Sequence, residues 1–220
     1  MTKKRYFHIQ NLNGTNTIWN KGDIINITDE NCNSFYNDLV TSTGAQLNGN
    51  KIDLFKYAKE QIKSTEAELL FNRDSTVLLD QYIKKSSVYR QLTEQMEENL
   101  QQYLKWIREE IFENYRQENF PRLPSRKSCL WLSELQDLEK WWTKLYPKKQ
   151  KKIIEVDLLN NSKTHTGNGS LIILETLNVT EYAKLAEEYW HGKMIEDCEV
   201  ETLFEGQFKV INEYTHINQI

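Results

Sequence analysis

The chain has 220 residues, a net charge of −4, and 39% hydrophobic and 27% charged side chains. This length suits one large domain, or one domain that carries an insertion. The slight acidic excess excludes a protein that coats nucleic acid nonspecifically, because such binding needs a strong basic excess.

The cysteines and the hydropathy pattern bear on the cellular compartment. Cys32, Cys129 and Cys198 are far apart and odd in number, which favours reduced thiols over a disulfide framework or a zinc site. No apolar run approaches the roughly 20 residues of a transmembrane helix, and no apolar core follows the basic residues near the N-terminus. We therefore expect a soluble, cytoplasmic protein with no membrane partner.

The first fifty residues predict two short strands, at residues 6–9 and 23–27, joined by a polar loop that contains glycines. Residues 28–30 are suited to open a short helix. A polar, glycine-containing linker then covers residues 43–50.

The next segment, residues 52–119, contains neither glycine nor proline, and its apolar residues recur every three or four positions. This spacing predicts amphipathic helices, with breaks near residues 72–74 and 84–87. The apolar positions do not keep a strict heptad, which favours packing within the chain over a coiled coil with another chain.

The remainder of the chain alternates short strands and helices after Pro121 and Pro124. Ser133 and Thr180 are suited to cap the two helices, and Gly167 and Gly169 indicate a loop. The predicted strands cover residues 129–132, 152–158, 199–204 and 208–211, and the predicted helices cover 134–145 and 180–190. Strands at both ends with a helical block between them indicate an α+β fold, and no nucleotide-binding glycine motif follows a strand.

Two carboxylates mark the late strand. Glu199 and Glu201 are two residues apart, so on a strand they project from the same face. Because like charges repel, such pairs are retained mostly where they do chemistry or bind cations. The alternative is an edge strand with an acidic, solvated face.

Three elements in order carry a resemblance to a known family: a first strand with His8, a middle strand with Trp131 before a helix, and the late strand with Glu201. Together with the segments SRKSCLW and YWHG, this order resembles the ADP-ribosyltransferase superfamily, in a poorly characterised bacterial branch. The resemblance covers residues 5–27 and 121–212. It implies a single domain over residues 1–220, a split antiparallel β-sandwich with a helical insertion at about 51–119, and a pocket for NAD.

The resemblance also implies catalytic roles, because cleavage of the nicotinamide–ribose bond passes through a ribosyl oxocarbenium ion, as in glycosidases. Glu201 would bind the ribose 2′-hydroxyl and stabilise the developing positive charge. Glu199 would position or deprotonate the nucleophile. His8 would donate a hydrogen bond to a ribose hydroxyl; in isolation, a histidine among aromatic neighbours is more often part of a core.

The implied NAD-binding residues are His8, Gln10, Arg126, Trp131 and Ser133. Trp131 would form an aromatic wall against the nicotinamide, and Arg126 would pair with the pyrophosphate. Core packing of Trp131 and a solvated Arg126 are the alternatives. Trp190 and His191 of the YWHG segment either line the pocket or end a helix. No spacing of histidines, cysteines and carboxylates predicts a metal site.

The function that this resemblance implies is a mono-ADP-ribosyltransferase acting on a macromolecule, in the context of a toxin or an anti-phage defence effector. The lysine run at residues 148–152 follows Trp141, Trp142 and Tyr146, which slightly favours a nucleic-acid base over a protein side chain as acceptor. Two alternatives remain. One is an NAD glycohydrolase, and the other is a non-catalytic protein whose helical block binds a partner such as an antitoxin.

Overall fold

A computed structural model describes residues 4–13, 17–28, 33–42, 44, 46–47, 50–71, 75–175 and 177–220. Its contacts divide the chain into two compact units. The first unit comprises residues 1–38 and 107–220, and the second comprises residues 39–106. The fold is of the α+β class.

Five α-helices are described: α1 (Ser34–Ser42), α2 (Leu54–Phe71), α3 (Ser75–Asn119), α4 (Leu135–Lys144) and α5 (Val179–Trp190). The predicted break at residues 84–87 is wrong, since α3 runs through it without interruption. The two serines there do not break the helix because neither glycine nor proline accompanies them, and Ser86 Oγ donates 2.8 Å to the Ile83 carbonyl. The predicted break at residues 72–74 lies outside the described residues.

The second unit consists of α2, the first part of α3 and a short hairpin of β3 (Gln46–Leu47) and β4 (Asn50–Lys51). Tyr89 Oη on α3 donates 2.6 Å to Thr65 Oγ1 on α2, and Lys85 pairs with Glu68 at 3.2 Å. The two helices therefore contact each other through polar side chains.

The first unit is built on a six-stranded antiparallel sheet. Its strands are β1 (Tyr6–Asn11), β2 (Ile24–Ile27), β5 (Leu130–Glu134), β6 (Lys151–Leu158), β7 (Lys163–Asn168) and β8 (Val200–Tyr214). β1 pairs with β5 and β6, and both of those strands also pair with β8. This circuit of pairings makes the sheet barrel-like.

β8 is a single strand of 15 residues where the sequence predicted two. Its first half pairs with β5 and β7, and its second half with β2 and β6. The strand passes through Gly206, whose φ of 134° is open to glycine but strained for other residues. A Cβ at Gly206 would also lie 2.8 Å from Ser162 Cα. Glycine therefore allows one strand to continue where the sequence predicted two separate strands.

The apolar core of the first unit has three clusters. One fills the interior of the sheet, with Phe204 and Phe208 at its centre. A second joins the end of α3 and α5 to β8, and includes Phe112 and Tyr189. The third packs α4 on β1 and β6 through Leu138, which is fully buried. These clusters fix α3, α4 and α5 against the sheet.

Both predicted helix caps are wrong. Ser133 lies inside β5, and α4 begins after Glu134, which makes no side-chain capping bond. α5 is capped by Asn178 instead of Thr180, through a capping box in which Glu181 also takes part. In addition, Gly167 lies in β7, where the sequence predicted a loop.

No helix within the described ranges is both long enough and apolar enough to cross a membrane.

Candidate functional site

A cavity of about 420 Å³ opens in the first unit where strands β1 and β5 part. Pairing between these strands covers only Tyr6 and Phe7 opposite Glu134 and Ser133. Beyond this point both strands line the cavity, together with residues from α1, α3, α4 and the start of β8. The lining residues are Phe7, His8, Ile9, Phe35, Arg108, Arg126, Trp131, Leu132, Ser133, Trp141, Lys144, Leu145, Tyr146, Gly169, Ile172, Glu199 and Glu201. The volume lies within the roughly 300–1,000 Å³ of small-molecule sites.

His8 bridges the two strands at the cavity. Its Nδ1 lies 3.0 Å from the carbonyl oxygen of Trp131, and its ring packs on Trp19 with centroids 5.3 Å apart. Burial lowers the pKa of His8 to about 4, against the opposing effect of the hydrogen bond to Trp131. The ring is therefore neutral at pH 7. Because a carbonyl only accepts, Nδ1 carries the proton and Nε2 is an acceptor, which reverses the hydrogen-bond direction that the sequence predicted for this residue.

Glu201 lies on the cavity wall in the second residue of β8 and is 7% exposed. Its Oε1 accepts hydrogen bonds from Arg126 Nη1 and from Tyr189 Oη, the latter at 2.6 Å. Tyr189 Oη in turn accepts from Arg126 Nη1 at 2.9 Å. Both donors thus bind the same carboxylate oxygen. Among the described residues, no hydrogen bond holds the other oxygen, Oε2.

Arg126 is the centre of this network and is 3% exposed. Its Nε donates 2.8 Å to Glu109 Oε2, so the guanidinium lies between two carboxylates. Burial opposes the charge on Arg126, but Glu109 and Glu201 outweigh it and raise the pKa of Arg126 well above its usual value. The guanidinium is committed to protein partners, so the structure does not present it as a free pyrophosphate ligand.

Tyr189 donates to Glu201 from α5, and burial, reinforced by the negative charge of Glu201, raises the pKa of its phenol well above its usual value. The phenol therefore stays protonated. The ring fits because Gly167 on β7 is opposite Glu201 and has no side chain. A Cβ at Gly167 would lie 2.5 Å from Tyr189 Cε2. Sequence reasoning noted both residues and assigned neither a role at the site.

Glu109 and Arg108 on α3 were missed altogether by sequence reasoning. Arg108 Nη2 donates 2.8 Å to Glu109 Oε1, and its Nη1 donates 3.2 Å to the carbonyls of Ile172 and Ile173. Burial opposes the charge on Glu109, but Arg126 and Arg108 together lower its pKa below the usual value. The only available signal was a recurrence of charged residues along one face of a helix whose neighbours are apolar.

Glu199 also lines the cavity, at its exposed edge. It directly precedes β8, and both of its carboxylate oxygens accept from Lys144 Nζ, at 2.8 and 2.6 Å. Lys144 lies over the ring of Trp141, 5.5 Å from the centroid. Glu199 and Glu201 therefore differ in environment, since Glu201 is buried against a guanidinium while Glu199 is in a surface ion pair.

Trp131 and Phe35 form an aromatic wall of the cavity. Their ring centroids are 5.7 Å apart at an interplanar angle of 85°, an edge-to-face contact. Trp131 is half-buried, and the Arg126 guanidinium carbon lies 5.9 Å from its ring centroid. Phe35 on α1 was not among the predicted site residues, since nothing in a short helix distinguishes it from a core residue.

Gln10 and Ser133 have different locations. Gln10 does not line the cavity; its amide binds the loop before β2, donating 3.0 Å to the Thr17 carbonyl and accepting from Trp19 N at 3.2 Å. It therefore holds Trp19 in place behind His8. Ser133 lines the cavity, and its hydroxyl lies 3.5 Å from the Phe7 carbonyl.

The lysine run after α4 is divided by the fold. Lys151 Nζ donates 2.7 Å to the Leu145 carbonyl, and Lys152 is buried and pairs with Glu213 at 2.6 Å. Lys148 and Lys149 are exposed. Half of the predicted basic patch therefore has a structural role, and the other half is available at the surface.

The family-model comparison gives one match, which covers residues 6–218 and is described as a protein of unknown function, DUF2441. The chain belongs to this family. No curated protein matches the chain significantly. Family membership therefore assigns no reaction.

Within the described ranges, no cluster of histidines, cysteines and carboxylates is arranged to hold a metal ion.

Proposed function

We propose that the protein is a mono-ADP-ribosyltransferase that uses NAD as its substrate and is built on the split antiparallel sheet of that superfamily. The observation that carries the proposal is the convergence of His8, Trp131 and Glu201 on one cavity. These residues are far apart in sequence, and the resemblance to the superfamily implies each of them at an NAD site. The parting of β1 and β5 supports the same fold, because it opens the sheet where the three residues meet.

The reaction breaks the bond between ribose and nicotinamide, and its electron pair leaves with nicotinamide. The acceptor's heteroatom bonds to the same ribose carbon and gives up its proton. The sugar carries positive charge in the transition state, as in glycoside hydrolysis. Glu201 Oε2 would accept a hydrogen bond from the ribose 2′-hydroxyl and stabilise this charge, an interaction that strengthens in the transition state.

The other cavity residues fit the rest of the substrate. Trp131 and Phe35 offer aromatic surface to the nicotinamide ring. His8 Nε2 accepts from a ribose hydroxyl, because its Nδ1 is occupied by the Trp131 carbonyl. Lys144 takes the role of pyrophosphate ligand that the sequence assigned to Arg126, since its side chain is 56% exposed at the cavity edge. Glu199 is released from Lys144 in that case and can receive the acceptor's proton.

The acceptor is a macromolecule, with a nucleic-acid base favoured over a protein side chain by the exposed Lys148 and Lys149 beside the cavity residue Tyr146. Incubation with labelled NAD and cell extract, followed by nuclease or protease digestion, tests this point. Label released by nuclease supports a nucleic-acid acceptor, and label released by protease assigns a protein acceptor. Free ADP-ribose alone assigns an NAD glycohydrolase.

A second candidate function, partner binding, is favoured by the second unit. Its helices expose large apolar side chains, among them Phe55 and Tyr82, each 71% exposed. Exposed apolar residues of this kind mark interaction surfaces when they are contiguous. A partner such as an antitoxin would bind there. Absence of NAD turnover together with stable capture of a partner by residues 39–106 would favour this function over the enzyme.

A further inference from the structure

Glu109 is the most deeply buried acid that contacts the Glu201 network, at 1% exposed, and it does not line the cavity. It reaches Glu201 through Arg126, whose Nε donates 2.8 Å to Glu109 Oε2 and whose Nη1 donates to Glu201 Oε1. The chain of contacts runs from α3 through one guanidinium to the candidate catalytic carboxylate on β8.

The network is balanced in charge: Glu109 and Glu201 face Arg108 and Arg126. Removing such charges from water costs more than their attraction usually returns, and apolar replacements of buried ion pairs are often as stable. Stability alone therefore does not account for the four charged groups. A geometric role accounts for them, because a planar guanidinium that Glu109 holds on one side presents a fixed orientation to Glu201 on the other side.

The consequence for Glu201 is that only one of its oxygens is held. Arg126 and Tyr189 both bind Oε1, and within the described part of the chain Oε2 has no hydrogen-bonding partner while the residue lines the cavity. A glutamate side chain has several rotatable bonds, and a carboxylate misplaced by about 1 Å can cost about 100-fold in rate.

We propose that Glu109 is a positioning residue, which acts through Arg126 to fix Glu201 Oε1 and so directs Oε2 at the ribose of the substrate. This inference rests on the proposed function. Glu109 does not line the cavity, so it makes no contact with NAD there. The expected defect is therefore in turnover and not in substrate binding.

The chain offers a matched control on the same helix. Glu113 is 2% exposed, follows Glu109 by four residues on α3 and pairs with Arg116 at 2.7 Å. Arg116 donates its remaining bonds to the carbonyls of Pro121 and Leu123, away from Glu201. Glu109→Gln thus weakens two buried carboxylate–guanidinium pairs, with Arg108 and Arg126, and Glu113→Gln weakens one, with Arg116. Only the pairs of Glu109 are connected to Glu201.

The test measures nicotinamide release from NAD, with kcat and KM separated, and Tm for the parent and both variants. We expect Tm to fall in both variants, and further in Glu109→Gln, which loses charge at two ion pairs. Only Glu109→Gln should lower kcat, by about tenfold or more, with an unchanged KM for NAD. Equal kcat in the two variants would overturn the positioning role, whether both keep the parental value or both fall together.

A crystal structure of the Glu109→Gln variant decides the proposal even if the parent releases no nicotinamide, a result that would defeat the proposed function on its own. A carboxylate of Glu201 that has moved from Tyr189 Oη supports the positioning role. A carboxylate that keeps its contact with Tyr189 and its orientation overturns it. Should Glu109→Gln fail to fold, Tyr189→Phe, which deletes one donor to Oε1, is measured in the same way and should lower kcat without raising KM.

Discussion

The two ends of α3 differ in what they bury. From residue 107 onward, charged side chains are buried in the first unit: Arg108, Glu109, Glu113 and Arg116. In the earlier part, which belongs to the second unit, large apolar side chains are exposed: Leu79, Tyr82, Ile83, Leu100 and Tyr103. Each end departs from the ordinary rule that charges are outside and apolar groups inside. Such departures mark functional sites, so one helix carries an internal charge network at one end and a candidate binding surface at the other.

The largest expected effect separates the two ends directly. Phe112→Ala removes a fully buried ring that packs on Tyr189, with centroids 5.5 Å apart. We expect it to lower the free energy of unfolding by about 3–5 kcal/mol. Tyr82→Ala, at the exposed end, should change it by about 0.5 kcal/mol or less. Chemical denaturation of both variants checks this, and a comparable loss for Tyr82→Ala would mean that the second unit buries this residue.

The next effect concerns pH and belongs to the first unit. The pKa of His8 is about 4 in the folded protein and about 6.5 in the unfolded chain. Between these values the unfolded chain binds a proton that the folded one does not, so stability falls as pH decreases from 6.5 to 4. The full loss is about 3 kcal/mol. It is absent above pH 6.5 and complete below pH 4.

Calorimetry of the parent and of His8→Gln across this range is the measurement. The variant amide can still donate to the Trp131 carbonyl but does not titrate, so its stability should lack this slope. Below pH 4.5 a separate loss begins in both proteins, because the hydrogen bond from Arg5 lowers the pKa of Glu155 to about 2. Equal slopes for parent and variant between pH 6.5 and 4 would show that His8 is already solvated in the folded state.

A third change sharpens the comparison at the charged end. Gly167→Ala places a Cβ where the ring of Tyr189 lies, and that ring is fully buried. Overpacking of this kind costs about 1–3 kcal/mol. Because the displaced phenol is a donor to Glu201, we also expect slower nicotinamide release. Gly192→Ala, at a glycine with open space around it, is the control for stability: its φ of 70° strains an alanine but leaves Tyr189 in place. Full activity of Gly167→Ala would indicate that Tyr189 does not hold Glu201.

The smallest expected effect concerns the surface beside the cavity. Replacing the exposed Lys148 and Lys149 together by Gln should raise KM for a single-stranded nucleic-acid acceptor a few-fold and reduce its salt dependence, with KM for NAD unchanged. The double variant of Lys184 and Lys209, two exposed lysines elsewhere, removes the same charge. Equal changes of KM in the two double variants would show that the effect depends on net charge and not on the position of Lys148 and Lys149.

Much of the fold class follows from local patterns. The short strand-like segments at residues 6–9 and 152–158, and the absence of glycine and proline from residues 52–119, predicted strands and helices that the structure contains. The two helix caps were predicted wrongly for different reasons. Ser133 lies within β5, and sheet pairing is not visible in a local pattern. Asn178 caps α5 in place of the nearby Thr180. The continuity of β8 depends on partners on both of its edges, which are remote in sequence.

The cavity residues that could be predicted are those whose own residue type and local sequence carried a signal. His8, Trp131 and Glu201 each had a local signal, and all three line the cavity. The role of Arg126 was not predictable, because its partners Glu109 and Glu201 are 17 and 75 residues away. Alternation along a strand made Glu199 and Glu201 equivalent. They differ because Glu199 pairs with Lys144, which is 55 residues away in the sequence and could not be predicted as its partner.

The most direct test of the account is the rate of nicotinamide release from NAD by the parent, Glu201→Gln and Glu205→Gln. Glu205 is on the same strand, pairs with Lys163 at 2.5 Å and does not line the cavity. We predict a fall of about 100-fold or more for Glu201→Gln and a rate within about twofold of the parent for Glu205→Gln. Release by Glu201→Gln at the parental rate, or none by the folded parent, would contradict Glu201 as the catalytic carboxylate of an NAD-cleaving enzyme.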